Sequence, residues 1–276
     1  MDLHLAGKRA LVTGSTSGIG IGIARALASE GVAVVISGRD ADRAAQVAED
    51  LRPLGEVVVA LGDLSSDEGA AAVARTAEDA LGGIDILVNN AAGYGATTWD
   101  DILPEQWVSR LNANLVSAVR LIRLLGPGMQ QRGWGRMIQM CSTGGSFSGD
   151  SYADYAAAKA GLLSLTVAAS RHYGPHGVTS NAIGCGTIRT PHIEERMLAR
   201  MAADKGIGMD EVETWLSTTG TLPHFAYNGS MNNAVGRFGR VEEVADVICF
   251  LASPRASYVT GANIRVDGGQ APTYNP

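Results

Sequence analysis

Apolar positions along the chain follow two alternating rhythms. Short β-branched runs at Arg9–Thr13, Val32–Ser37, Val57–Leu61 and Ile84–Asn89 are too brief and too apolar for surface helices and predict strands. Between them, Ile19–Glu30, Ala41–Leu51 and Asp67–Leu81 repeat apolar residues three and four apart, which predicts helices. The rhythm continues with a helix over Pro104–Leu125, its proline at the tolerated first position, and a strand over Arg136–Ser142. A long helix over Ser151–Tyr173, a strand over Val178–Ile183, a helix over Val241–Leu251 and a strand over Ala262–Val266 complete the pattern. Strands separated by helices predict an α/β domain. In it a doubly wound parallel sheet has right-handed crossovers and helices on both faces. No repeat, low-complexity tract or linker divides the chain, so residues 1–276 are read as a single domain.

The stretch from about 190 to 237 departs from this rhythm. It holds helical segments at Ile193–Lys205 and Met209–Ser217 and then a loop rich in Gly, Asn and aromatics. An insertion of that length is commonly functional, and an oligomer contact is an equal alternative. Composition narrows the class of protein without naming a reaction. Apolar residues make up 46% and charged residues 18%, enough for a large core. A formal charge of −6 argues against a nucleic-acid surface, and no apolar run is long enough to cross a membrane. Cys141, Cys185 and Cys249 lie far apart with no metal-ligand spacing. They predict reduced thiols of a cytoplasmic protein and no metal site.

Candidate chemistry begins where the first strand runs into Thr13-Gly14-Ser15-Thr16-Ser17-Gly18-Ile19-Gly20 and a helix opens. Glycines there let the backbone approach a pyrophosphate, and the helix N-terminus presents free N–H groups. A tight strand–helix corner would also use glycines, but the position at the first strand–helix junction favours a dinucleotide. The spacing GxxxGxG resembles that of the short-chain dehydrogenase/reductase family. The resemblance implies a Rossmann-like fold with cofactor contacts from Gly14, Ser15, Thr16, Ser17, Gly18, Ile19 and Gly20. The second strand ends in Ser37-Gly38-Arg39-Asp40, where the family's usual acidic position is taken by Gly38. Arg39 could clamp a ribose 2′-phosphate, so NADP(H) is favoured and NAD(H) stays open; the alternative is a solvated Arg39, with Asp40 capping the next helix. The resemblance also places Asp63 and Leu64 beside the adenine, and Asn90, Ala91 and Gly93 along the cofactor, although Asn89-Asn90-Ala91-Ala92-Gly93 has one alanine more than the usual motif.

Tyr155 and Lys159 lie four residues apart in a predicted helix and therefore on one face. A neighbouring ammonium favours the phenolate, which predicts a lowered phenol pKa useful for acid–base work. A core-facing tyrosine beside a snorkelling lysine is the structural alternative for the pair alone. Ser142, thirteen residues before Tyr155 at a strand end, could polarise a carbonyl oxygen; alone it reads as a turn or cap. Asn114 lies mid-helix without a cap role, which suggests a local bend or a bound water, and Asn112 is a nearby decoy. Asn114, Ser142, Tyr155 and Lys159 are similar in order and spacing to the family's catalytic tetrad. Val266-Asp267-Gly268-Gly269 extends the resemblance almost to the end of the chain.

The resemblance implies an oxidoreductase that interconverts a carbonyl and an alcohol. Lys159 would hold the nicotinamide ribose and tune Tyr155, Tyr155 would act as acid or base, and Asn114 would anchor a water. Gly186, Ile188 and Thr190 would flank the nicotinamide carboxamide and phosphates. Cys185 stands where the family usually has proline, and it reads as a small buried thiol in a less rigid loop. Tyr94, Trp99, Ser142, Ser146, Phe147, Trp215, Phe225 and Tyr227 form the expected substrate wall, which favours a hydrophobic small molecule, though each aromatic could be core. The family also implies a homodimer or homotetramer formed through Pro104–Leu125 and Ser151–Tyr173. An NAD-linked alcohol dehydrogenase and a non-catalytic dinucleotide sensor are the competing functions.

Overall fold

The computed structural model describes residues 1–95, 98–148, 152–199, 202–203, 206–212 and 233–271. Its centre is a seven-stranded, wholly parallel sheet in the order β3-β2-β1-β4-β5-β6-β7. The strands are β1 (Arg9–Thr13), β2 (Ala33–Gly38), β3 (Val57–Leu61), β4 (Ile86–Asn89), β5 (Gly135–Met140), β6 (Val178–Cys185) and β7 (Asn263–Val266). Between them lie α1 (Gly18–Ser29), α2 (Ala41–Leu51), α3 (Asp67–Leu81), α4 (Pro104–Leu111), α5 (Ser117–Arg132), α6 (Ala153–Tyr173), the single turn α7 (Pro191–Ile193) and α8 (Val241–Ala252).

Because side chains alternate along a strand, each strand supplies both layers of the core. Val12, Ile36, Val88 and Ile138 face α1, α2 and α8, where Ile23, Leu27, Leu51 and Ile248 complete one apolar cluster. Leu11, Val35, Leu87 and Met137 face α3, α5 and α6, with Val73, Leu121, Leu125 and Met129 in the second cluster. Strands buried on both faces explain the near-continuous apolar runs in the sequence. Asp40 caps α2 by accepting from the Arg43 N–H (3.0 Å), and Ser66 caps α3 by accepting from the Gly69 N–H (3.0 Å). Strand order reverses between β1 and β4, so the loops leaving their C-terminal ends flank a crevice of the kind that takes ligands in open α/β sheets.

The predicted helix over Pro104–Leu125 is corrected in two ways. It is interrupted by a π-helical turn over Asn112–Val116, and it continues past Pro127 to Arg132. Met129, fully buried in the second cluster, holds the segment beyond the proline in place despite the missing N–H. Within the 190–237 stretch and its border, Leu198, Ala202, Val212 and Phe238 form a small third cluster of their own. Among the described residues no helix is long and apolar enough to cross a membrane.

Candidate active site

The glycine-rich turn after β1 is shaped by contacts that a side chain would block. Gly14 (φ +62°) has the Ala91 Cα 2.9 Å from where its Cβ would be, and a Cβ on Gly20 would lie 2.3 Å from the Gly14 carbonyl oxygen. Gly18, at φ +54°, opens α1 with Ile19 and sits against Thr190. Ser17 is the N-cap of α1 but its side chain makes no capping hydrogen bond, so the first N–H groups are not covered by it. Ser15 is turned inward: its hydroxyl donates to the Val12 carbonyl (2.7 Å) and accepts from the Ser37 N–H (2.9 Å). The Thr13 hydroxyl accepts from the N–H groups of Asn90 and Ala91 (both 2.9 Å), and the Asn90 amide donates to the Thr13 carbonyl (2.8 Å). The loops after β1 and β4 are thereby clasped together.

At the tip of β2, the space beside Gly38 is filled by Thr16, whose Cγ2 and Oγ1 lie 2.6 and 2.8 Å from where a Cβ on Gly38 would be. Arg39 is exposed and close enough to Asp63 to help lower the Asp63 pKa; the larger causes are hydrogen bonds from the Ser65 N–H (3.0 Å) and hydroxyl (2.7 Å). Leu64 is buried in the α3 face of the core. On the other side, Ile188 is buried in the α1 face and Gly186 packs against Gln270, which accepts from the Thr187 N–H (3.0 Å).

The reaction end is assembled from separate elements. Asn114 sits in the π-helical turn with its amide inserted into the helix ladder. Its Nδ2 donates to the carbonyls of Arg110 (3.0 Å) and Gly93 (2.9 Å), and its Oδ1 accepts from the Gly93 N–H (3.3 Å). The local bend suggested by the sequence is this turn. Asn112 points elsewhere, bridging the Ser65 carbonyl (2.8 Å) and Arg120 (2.8 Å). Ser142, just past β5, accepts from the Gly144 N–H (3.1 Å) and hydrogen-bonds the Tyr155 hydroxyl. Tyr155 and Lys159 share one face of α6, with the Lys159 ammonium 5.5 Å from the Tyr155 ring centre. Lys159 is 2% exposed, and its ammonium has one hydrogen bond among the described residues, to the Met140 carbonyl (2.6 Å). A Cβ on Gly145 would come within 3.0 Å of the Lys159 backbone, so the Ser142 loop can lie directly on α6.

The electrostatics correct one expectation. The Tyr155 phenol is pushed above its ordinary range, chiefly by burial and then by the neighbouring Cys185 thiol, while its bond with Ser142 pulls slightly the other way. Desolvation outweighs the ammonium, whose hydrogen bond goes to Met140 rather than to the phenol. Lys159 itself is lowered, again by burial. Cys185 is pushed up to about 11 by burial, and its thiol donates to the Cys141 carbonyl (3.4 Å).

Of the expected substrate wall, the Tyr94 ring stands edge-on to Tyr155 at 5.3 Å, and Phe147 is half-buried just after the turn that Ser142 opens. Trp99 packs instead on Trp107 of α4 (5.9 Å). Trp215, Phe225 and Tyr227 lie outside the described residues. One feature was missed from the sequence: Asp154, fully buried, pairs with Arg110 of α4 at 2.9 Å. An acid in the first turn of a helix ordinarily reads as a dipole partner at the surface, and nothing in the sequence marked this one as buried. Among the described residues no cluster of three His, Cys, Asp or Glu side chains could hold a metal ion.

The arrangement fits a dinucleotide on two grounds. Gly14 and Gly20 let the turn close on itself and on the loop after β4, which sets the N-terminus of α1, free of any side-chain cap, at the strand ends, and a buried ammonium has a single acceptor for its three donors among the described residues. Comparisons with known proteins agree. Residues 8–200 match the short chain dehydrogenase family model, and residues 195–271 match that of enoyl-(acyl carrier protein) reductase. The D-beta-hydroxybutyrate dehydrogenase of Cupriavidus necator is 36% identical over 270 residues, covering 96% of this chain and 98% of that protein. A 3-oxoacyl-(acyl-carrier-protein) reductase of Pseudomonas aeruginosa is 36% identical over 272 residues, covering 97% and 98%. Among solved structures, L-sorbose reductase from Gluconobacter frateurii, complexed with NADPH and L-sorbose, superposes with a TM-score of 0.89 at 31% identity, over 99% of this chain and 100% of that one.

Proposed function

The chain belongs to the short-chain dehydrogenase/reductase family and is an oxidoreductase acting on CH–OH and C=O groups, and from that premise we propose that it is an NADP(H)-dependent reductase of a hydrophobic carbonyl compound. The observation that carries this reading is the buried Lys159 ammonium, held by one carbonyl and sharing a face of α6 with the Tyr155 phenol. The nicotinamide supplies the hydride when bound. Gly14, Gly18 and Gly20 would admit the pyrophosphate to the N-terminus of α1, with Ser15 holding the turn from beneath and Thr16, Ser17 and Ile19 lining it. Asp63, Leu64, Asn90, Ala91 and Gly93 would border the adenosine and ribose, and Gly186, Ile188 and Thr190 the nicotinamide end.

Tyr155 gives its hydroxyl proton to the carbonyl oxygen as the carbon accepts the hydride, leaving an alcohol. The phenol carries its proton at neutral pH, as the acid of a reduction must, and the burial that raises its pKa makes it a weaker acid until a neighbouring positive charge offsets it. Ser142 donates a second hydrogen bond to the same oxygen, and Lys159 directs its remaining donors to the ribose hydroxyls. Asn114 keeps the Gly93 loop and the bend after α4 in register, with a water between its turn and Lys159. Tyr94 and Phe147, with Trp215 and the 190–237 stretch, would cover the substrate.

NADP(H) is preferred in this reading because Gly38 and Thr16 leave no room for an acidic side chain and the exposed Arg39 can meet a 2′-phosphate. An NAD-linked dehydrogenase is the second reading. We place the protein in the cytoplasm as a homodimer or homotetramer, with exposed Val116, Leu124 and Val167 on the α5 and α6 side as the contact; light scattering on the purified protein reports the copy number. The test of function is a panel of acetoacetate, an acetoacetyl thioester, L-sorbose and an aryl ketone, each with NADPH and with NADH. Turnover with NADPH that Tyr155→Phe abolishes, with NADPH binding kept, is expected. Wild-type turnover in Tyr155→Phe sinks the acid role, and turnover with NADH alone sinks the NADP assignment.

A further inference from the structure

Arg110 touches every segment that bears the reaction end except that of Ser142. Its Nε donates to Asp154 Oδ2 (2.9 Å), and the other oxygen of that carboxylate accepts from the Tyr155 N–H (2.7 Å). Its carbonyl accepts from Asn114 Nδ2 (3.0 Å). Its guanidinium lies against the loop that carries Tyr94: a Cβ on Gly95 would be 2.6 Å from Nη2, and one on Gly93 3.5 Å from Nη1. That same loop is bonded to Asn114 through both Gly93 backbone groups, and the Tyr94 ring meets the Tyr155 ring edge-on. α4 has no fully buried residue of its own, and the Arg110–Asp154 pair is a polar tie between it and α6.

We propose that the Arg110–Asp154 pair is a positioning device that fixes Tyr155 relative to Asn114 and Tyr94. Asp154 is fully buried, and a carboxylate removed from water is stable there only while paired. The pair therefore has one low-energy geometry, and that geometry sets where the first turn of α6 sits. A displacement of the acid by about 1 Å is enough to cost about 100-fold in rate, since proton transfer tolerates little misalignment. The inference rests on the reading of Tyr155 as the acid.

Its test compares R110Q, D154N, R110Q/D154N and R110K, using the panel ketone turned over fastest and fluorescence titration with NADPH. In R110Q, kcat is expected to fall roughly 10- to 100-fold while the NADPH Kd and the ketone KM stay within about twofold. The double variant is expected to lose no more than the worse single one, because both remove one interaction. R110K, which keeps the charge on Asp154, is expected to recover most of kcat. R110Q/D154N leaves no unpaired buried charge and carries the same readouts where R110Q does not fold. A folded R110Q with wild-type kcat overturns the proposal, as does a loss of kcat matched by an equal loss of NADPH affinity. Tyr155→Phe run in parallel separates the two readings: if it is inactive while R110Q is unimpaired, only the positioning role fails.

Discussion

The two ends of the crevice are built on opposite principles. Beneath the glycine-rich turn, the polar side chains of Ser15, Thr13 and Asn90 are already committed to backbone partners within the protein. What is left to offer a ligand there is mainly backbone, with the Ser17 side chain, which makes no capping bond, at its edge. At the reaction end, Lys159 is buried and Tyr155 half-buried, both with their ionisation disfavoured, and Lys159 holds a single carbonyl acceptor among the described residues. The first end is a finished surface; the second stores unmet electrostatic demand. The first should therefore fail when atoms are added, and the second when a charge is removed.

Removing the Lys159 charge is expected to have the largest effect. Lys159→Met keeps the stem and deletes the ammonium, and kcat/KM should fall by about 10³- to 10⁴-fold in steady-state assays. The folded protein should not suffer. Lys159 has a lowered pKa when folded, so the unfolded chain binds its proton more tightly, and stability rises with pH between that lowered value and about 10.4. Lys159→Met should flatten this part of the wild-type curve in thermal melts, and a large loss of stability would contradict the picture of a disfavoured buried charge. At the other end, Gly20→Ala places a methyl 2.3 Å from the Gly14 oxygen and 2.7 Å from Asn90 Nδ2. A backbone oxygen cannot step aside, so overpacking of about 1–3 kcal/mol is expected, together with about 100-fold weaker dinucleotide binding by titration. Unchanged affinity would mean that the cradle is not the pyrophosphate site.

These two ends also differ in how much of them the sequence discloses. β1, β3, α2 and α3 begin and end where periodicity predicts, because Asp40 and Ser66 cap their helices and apolar runs fill the sheet. The glycine turn is legible for the same reason: its glycines answer local backbone demands. The reaction end is legible only as residue identities. Asn114 stands apart from its decoy Asn112 in the sequence, but the π-helical turn that sends one amide towards Gly93 and the other towards Ser65 does not show there. The helix continues past Pro127 because tertiary packing of Met129 overrides a local breaker. The direction of the Tyr155 shift depends on burial, and the Arg110–Asp154 pair on a contact between residues 44 apart in the chain. Neither is a property of local sequence.

A smaller effect is expected at the seam of β2, where both principles meet. Gly38→Asp would supply the acidic group that binds ribose hydroxyls, but Thr16 occupies the space its Cβ needs, and threonine is stiff at χ1. The single variant should therefore lose NADPH affinity without gaining NADH. Thr16→Ala combined with Gly38→Asp removes both close atoms and should move the NADH-to-NADPH ratio of kcat/KM by about tenfold, or about 1.4 kcal/mol. Additive behaviour of the two substitutions would show that Thr16 does not control the site.

The smallest effect is expected at Cys185, which lies beside the acid but meets neither description. Its thiol is pushed up to about 11 by burial, so almost none is thiolate at neutral pH, and it makes only a weak bond to the Cys141 carbonyl. At neutral pH a thiol in that state is neither nucleophile nor charge, so its electrostatic push on Tyr155 sets in only at high pH, where both groups ionise. Cys185→Ala should keep kcat/KM within about twofold and lose under about 1 kcal/mol of stability, since one sulfur leaves a partly buried site. The wild-type thiol should resist alkylation at about pH 7.5 in the folded protein, with mass spectrometry of the modified peptide as the readout. Rapid alkylation, or a tenfold loss in Cys185→Ala, would instead make the sulfur a participant and give the reaction end a third ionisable group.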